Sequence, residues 1–193
     1  MAEYQSPRDC VPRIGTTTYR EATEEDAEAI ALLHAESWRR HYRGAYLDSY
    51  LDGDIFAERL EVWRTRLAPP RENQYTVIAE RDGEVVGFAH LMFDDDPAWG
   101  ARLDNLHVNS EAKGQGIGTK LMSEVARALL RYRPSSALYL WVLDQNKPAQ
   151  DFYDARGGTR VASEIRGPFP GGGRALGHRY AWPDPSVLTA RPT

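Results

Sequence analysis

A strand-length apolar run, Leu106-His107-Val108, passes into Ala112-Lys113-Gly114-Gln115-Gly116-Ile117-Gly118, and a long stretch of helical periodicity follows. No other feature of the chain restricts its fold so tightly. A glycine-rich turn between a strand and a helix leaves the first backbone N–H groups of that helix without intrahelical partners. Those amides, with the positive end of the helix dipole, are suited to holding a phosphate or pyrophosphate. Glycine serves because it has no Cβ to shield the amides and accepts positive φ at little cost. The turn from Lys113 through Gly114, Gln115, Gly116, Ile117 and Gly118 to Thr119 is therefore a candidate phosphate site.

The spacing narrows the ligand. A Walker loop needs four residues between its first glycine and a Gly-Lys-Ser/Thr end, and this turn lacks that arrangement. A dinucleotide fingerprint, G-x-G-x-x-G, would need glycine where Thr119 stands. The chain has Gly114-x-Gly116-x-Gly118 instead, six residues after Val108.

About thirty residues on, Leu138-Tyr139-Leu140-Trp141-Val142 is a second apolar run of strand length, and Asn146, Ala149, Phe152, Tyr153 and Gly157 follow it. On these two motifs together, in this order, the chain resembles the GCN5-related N-acetyltransferase (GNAT) superfamily. That family's signature is Gln/Arg-x-x-Gly-x-Gly/Ala after a strand, then strand–Asn-x-x-Ala-x-x-Phe-Tyr-x-x-x-Gly. Lys113 takes the Gln/Arg position. The resemblance implies an α/β fold with a mixed, mostly antiparallel central sheet flanked by helices, and a V-shaped splay between two central parallel strands. It also implies acetyl-CoA as co-substrate, with its pyrophosphate on the glycine turn. The backbone of Leu106, His107 and Val108 would pair with the pantetheine arm as an added strand does. Asn146 has two compatible roles, capping its helix or bonding the pantetheine.

Composition sets wider bounds. The 193 residues fit one domain with a sizeable core, at 41% hydrophobic and 27% charged. A net charge of −4 offers no global attraction to nucleic acid or to an anionic membrane, although a coenzyme A site can still be locally positive. The single cysteine, Cys10, excludes an intrachain disulfide and a cysteine-only metal cluster. No apolar run approaches the roughly 20 residues of a membrane span, and no signal-peptide core is visible, so a cytoplasmic protein is expected.

Along the chain, residues 1–15 read as a flexible arm, 16–182 as the acyltransferase domain and 183–193 as a flexible tail. Thr16 to Arg20 suit a short strand, and Thr23 suits an N-cap with Glu24, Glu25 and Asp26 behind it. Ala27, Ile30, Ala31, His34, Ala35 and Trp38 make one helical stripe; Phe56, Leu60, Trp63 and Leu67 make another, stopped by Pro69-Pro70. Tyr75–Glu80 and Val85–Met92 flank Asp82-Gly83, a hairpin signal. Asp94, Asp95 and Asp96 read as a polar loop before a strand from Arg102 to Val108. After the glycine turn, Leu121, Val125 and Leu129 form one ridge of the helix and Met122 and Ala126 another. Val161–Ile165 and His178–Trp182 suit a closing hairpin.

Acetyl transfer from a thioester needs a neutral amine, a donor for the developing oxyanion and a proton for the departing thiolate. It needs no metal, and no H-E-x-x-H pair, paired cysteines or G-x-S-x-G elbow is present. Tyr153 matches the family tyrosine that acts as general acid near the sulfur. The family often carries glutamate at the positions of Arg102 or Trp141, and this chain has neither. Alternation along the strand puts Asp104 on the face of Arg102, making it a candidate base. Glu36, His34, His41 and a water chain are the other candidates, with His34 fitting a core histidine better. The aromatic and basic stretch Trp38–Tyr46 would border the acceptor side, its rings suited to an ammonium group and its arginines opposed to one.

The function expected is acetyl-CoA-dependent transfer to a primary amine of a small molecule. A protein lysine or N-terminus as acceptor, and a catalytically silent coenzyme A-binding module, are the alternatives. No nucleic acid or membrane partner is expected, and a homodimer is left open.

Overall fold

A computed structural model describes residues 15–190. The expected flexible arm therefore lies, but for Gly15, outside the described residues, as does the end of the expected tail. Seven strands, β1 (Thr18–Glu21), β2 (Gln74–Arg81), β3 (Glu84–Asp96), β4 (Gly100–Val108), β5 (Leu138–Leu143), β6 (Thr159–Arg166) and β7 (Ala175–Trp182), form one sheet in the order β1-β2-β3-β4-β5-β7-β6. All neighbours are antiparallel except β4 and β5. That parallel pair is joined only at Ala101↔Leu138 and Arg102↔Tyr139, so the two strands splay apart beyond Arg102. This is the V-shaped opening in a mostly antiparallel sheet that the resemblance implies.

Helices cover both faces. On one side lie α1 (Ala27–His41), the short α2 (Asp48–Leu51) and α3 (Ile55–Leu67); on the other, α4 (Ile117–Tyr132) and α5 (Lys147–Asp154). The stripe on α1 is buried along its length: Ala27, Ile30 and Ala31 join Trp63, Leu67, Ile78 and Phe88 in one core, and Ala35 and Trp38 join Tyr46, Leu51 and Ile55 in a small cluster beside it. Ridge residues Leu121, Met122, Val125, Ala126 and Leu129 of α4 make a second core with Ala89, Leu91, Leu103, Leu138 and Leu140. Each strand thus supplies alternate residues to opposite layers. Among the described residues no helix is long and apolar enough to cross a membrane.

Two expectations are corrected. Asp94–Asp96 is no loop: β3 continues to Asp96, which pairs with Gly100, with an irregular register from Met92 on and Asp94 at φ 52°. The carboxylates are tolerated because each finds a partner. Asp94 pairs with Arg133 at 2.7 Å, Asp95 with Arg102 at 3.3 Å and with the Tyr139 hydroxyl, and Asp96 caps the turn amides of Ala98 and Trp99. The residues after Pro183 are not a loose tail over their described part. Pro185–Leu188 forms a 3₁₀ turn, started by the Asp184 carboxylate accepting from Ser186 N, and Leu188 is buried in the α4 core. One apolar residue packed against a helix was too weak a pattern to stand out of a Pro- and Ser-containing end.

Candidate active site

The splay opens a cleft of about 540 Å³. Leu103 to Val108 of β4 form one wall; Leu140 to Leu143 of β5, with Asn146, Ala149, Phe152 and Tyr153, form the other. The glycine turn closes one end, and Ser37, His41 and Tyr42 of the α1 end border it. The two sequence motifs therefore meet across one cavity, although some thirty residues of chain separate them.

At the turn, Gly116 is the N-cap of α4 at φ 79°, and Gly114 has φ 76°. Both values demand glycine, and a Cβ added at either would meet no atom within 4 Å. Open space thus lies directly over the turn. The first intrahelical bond is Lys120 N to Gly116 O, which leaves the amides of residues 116–119 free of helical partners, and no acidic side chain occupies the first turn. Gly118 does a different job: its Cβ would come 3.3 Å from the Phe152 ring, so its absence lets α4 and α5 pack closely.

Cationic side chains gather at this end. Lys113 Nζ lies 3.1 Å from His41 Nε2, and burial followed by neighbouring cationic charge lowers the pKa of both. Arg156, which the sequence motifs did not single out, stacks 3.7 Å over Phe152, bonds the Thr119 hydroxyl and lines the cleft. Its only sequence signal is a cation four residues after Phe152, in the turn just past the end of α5. Gln115 departs from expectation. Its side chain is outside the cleft, accepting from Arg81 at 2.8 Å and donating to Glu111 O at 3.1 Å. Asn146 caps α5 by accepting from Ala149 N at 3.4 Å and also borders the cleft.

Deeper in, Tyr153 sits with its ring packed among Phe152, Tyr180 and Trp182 while remaining part of the cleft lining. Burial, then the neighbouring Tyr42, pushes its phenol pKa well above the usual tyrosine range. Tyr42 opposite is pushed up to about 12 by burial and by Asp104. Both phenols therefore stay protonated at any ordinary pH and can donate.

Asp104 also faces the cleft, but between two guanidinium groups: Arg66 at 2.8 Å and Arg102 at 3.2 Å. Burial alone would raise its pKa; Arg66, Arg102 and His90 outweigh that and hold it below the usual carboxylate value. Arg66, on α3, was not visible from the motifs because it arrives from a distant helix. It also donates to Asn105 Oδ1 at 2.9 Å, next to the register shift at which Asp104 is left without a partner on β3.

The other base candidates among the described residues, and His107 beside them, separate clearly. His107 bonds the Ser37 hydroxyl through Nδ1 at 2.7 Å, and burial with nearby cationic groups pulls its pKa down to about 3. His34 is a core histidine, accepting from Trp63 Nε1 at 3.0 Å with Nε2 unpartnered. Glu36 is exposed and outside the cleft. Two of the three arginines of the α1 end, expected to repel an ammonium, are committed elsewhere, Arg39 to the carbonyls of Leu51 and Gly53 and Arg43 to Asp48 and Asp52, while Arg40 is exposed.

A splayed parallel pair with a glycine turn at one end and a buried tyrosine along it defines an acyl-CoA-type N-acyltransferase architecture. Residues 35–157 match the family model described as "Acetyltransferase (GNAT) family", and the chain belongs to that family. It is 31% identical over 176 residues to the N-acetyltransferase YuaI of Bacillus subtilis (strain 168), covering 89% of this chain and 95% of that protein. It is 41% identical over 76 residues to the thialysine N-epsilon-acetyltransferase of Bos taurus, covering 38% of this chain and 44% of that one. Among solved structures, the PaiA N-acetyltransferase from Thermoplasma acidophilum in complex with coenzyme A superimposes with a TM-score of 0.67. Its identity is 21%, and the match covers 84% of this chain and 98% of that one. The protein is accordingly an acyltransferase of the N-acetyltransferase type.

Proposed function

We propose that the protein transfers the acetyl group of acetyl-CoA to the primary amine of a small molecule by direct attack on the thioester. One observation carries this: a single cleft runs from the open glycine turn, along the unpaired stretch of β4, to Tyr153 and Asp104. The pyrophosphate would rest on the free amides at the start of α4, with Lys113 and Arg156 supplying charge. The amides and carbonyls of β4 beyond Arg102 lack a β5 partner and would take the pantetheine arm as an added strand.

Acetyl-CoA supplies an acyl group already activated as a thioester. The C–N bond forms as the C–S bond breaks, and the departing sulfur takes a proton. Tyr153, held protonated by burial, is the donor for that proton. Asp104 is too well stabilised as a carboxylate to be an effective base; it orients the amine, whose proton passes to water.

A small acceptor is supported by a loop packed against Tyr46, whose ring in turn meets that of the cleft residue Tyr42 at 5.0 Å. The loop between β6 and β7 seats Phe169 against Tyr46, with ring centroids 4.7 Å apart, and brings Gly173 so close to Ala45 that a Cβ would strike its carbonyl. The bovine relative is itself named for a small amine substrate. A screen of small primary amines and of lysine peptides with acetyl-CoA, followed by thiol release, tests the proposal. Turnover of small amines is expected; release with peptides alone, or with nothing, would overturn it.

A further inference from the structure

Charges at the acceptor end of the cleft do not cancel. Asp104 is matched by Arg66 and Arg102, and Arg102 also reaches Asp95 at 3.3 Å, so two guanidinium groups face two carboxylates. Arg166 is matched by Glu164 at 2.7 Å. Arg179 is left over. Among the described residues it makes no ion pair and no hydrogen bond, and its Nε is buried without a partner.

Its place is defined by rings. The Arg179 guanidinium lies 4.7 Å from the Trp141 centroid, 4.8 Å from that of Trp99 and 5.3 Å from that of Tyr139. Arg179 pairs in register with Trp141 across β7 and β5, and Trp141 is a wall of the cleft. Aromatic faces stabilise a cation from above and below but leave its in-plane N–H groups unsatisfied. A partly buried cation with unspent donors and no counter-ion, beside a substrate cleft, is the arrangement that binds an anion.

We propose that Arg179 anchors an anionic group of the acceptor, so that the substrate is an amine that also carries a carboxylate or a phosphate. The anion sits at Arg179 and the amine is directed across Trp141 toward Asp104 and Tyr153. This rests on the acetyl-transfer proposal above and deepens it by naming the substrate class.

The test compares matched acceptors: 5-aminopentanoate against pentylamine for a carboxylate, and phosphoethanolamine against ethanolamine for a phosphate. Charge-assisted hydrogen bonds to a guanidinium predict a preference of about 10- to 100-fold in kcat/KM for one anionic member over its neutral partner. Arg179→Gln should bring that ratio close to one by raising KM, and Arg179→Lys should restore part of it. KM for acetyl-CoA in the same variants reports whether the cleft is still formed. An unchanged ratio in a folded Arg179→Gln protein, or no preference in the wild type, overturns the anchor. Calorimetric titration of the same probes into coenzyme A-saturated protein separates the two proposals. If no acceptor turns over, yet the anionic probe binds the wild type and not Arg179→Gln, the anchor stands and acetyl transfer fails. Equal binding to both proteins overturns the anchor itself.

Discussion

Gly116→Ala should weaken coenzyme A binding far more than it weakens the fold. A Cβ at this position meets nothing within 4 Å, so the substitution introduces no clash. Its cost to the fold is the left-handed backbone at φ 79°, about 1–2 kcal/mol for a residue with a Cβ. For a chain of this size that is a fall of roughly 2–8 °C in melting temperature. The same methyl group would occupy the open space over the free amides of α4, where the pyrophosphate is proposed to sit. Losing one charge-assisted hydrogen bond, about 1.5–3 kcal/mol, corresponds to roughly 10- to 100-fold in Kd. Gly116→Asp adds like charge at the same place and should leave no measurable binding.

Gly118→Ala is the control. It lies inside α4 with no positive φ, and its Cβ would press the Phe152 ring at 3.3 Å without entering the space over the turn. Gain in helix propensity, about 0.5–1 kcal/mol, offsets part of the cost of moving the ring. Titration calorimetry with coenzyme A, beside thermal melts of each variant, reads both quantities. A folded Gly116→Ala protein with wild-type affinity, or a Gly118→Ala protein that loses more affinity than Gly116→Ala, would refute the assignment of this turn to the pyrophosphate.

Tyr153→Phe keeps the ring packing and removes the proton donor, so single-turnover acetyl transfer should slow by about 10²-fold while KM for acetyl-CoA holds; unaltered chemistry would make Tyr153 a wall only. Arg156→Ala should raise the Kd of coenzyme A and have less effect on phosphate-free fragments such as pantetheine; equal losses for both ligands would place Arg156 outside the phosphate site. Asp104→Asn carries two signatures. Because the folded carboxyl titrates below its unfolded value, its stabilisation is complete above about pH 4 and is lost as pH falls through the lower folded value. The stability gap between wild type and variant, measured by urea unfolding, should therefore shrink on acidification, and a gap that widens would contradict the ion pairing. The rate ratio of the two proteins should be flat between about pH 6 and 9, where Asp104 is always charged; a ratio that grows toward low pH would restore it as the base.

The glycine-turn end of the cleft, the proposed coenzyme site, was legible in the sequence because its backbone geometry is local. A strand, a glycine turn and a helix start place free amides through backbone geometry alone, so Gly114, Gly116 and the frame of Leu106 to Val108 could be read from one short segment. Asn146 and Tyr153 were legible for the same reason, sitting at fixed spacing on one strand and helix. Gln115 shows the limit of that locality. Being in the motif placed its backbone in the turn, but Arg81, from another hairpin, decided where its side chain went.

The proposed acceptor end is assembled from pieces that share no segment: Arg66 on α3, Asp104 on β4, Trp141 on β5 and Arg179 on β7. Charge at such a site depends on which carboxylate meets which guanidinium across strands, and composition shows only the sum. Alternation correctly put Asp104 on the face of Arg102, yet the neighbouring cations that the same alternation brings make it a poor base. Arg39 and Arg43 of the α1 end, which looked obstructive as part of a basic run, are spent on carbonyls and carboxylates of their own loop. The guanidinium beside Trp141 that has neither a counter-charge nor a hydrogen bond among the described residues is Arg179 on the last strand, where it appears in sequence as an ordinary exposed-type residue between Gly177 and Trp182. On the proposed reading, specificity for the acceptor rests on pairings between distant strands, while affinity for the coenzyme rests on a contiguous turn. Substitutions at Arg179 and Gly116 should accordingly act on KM for different substrates.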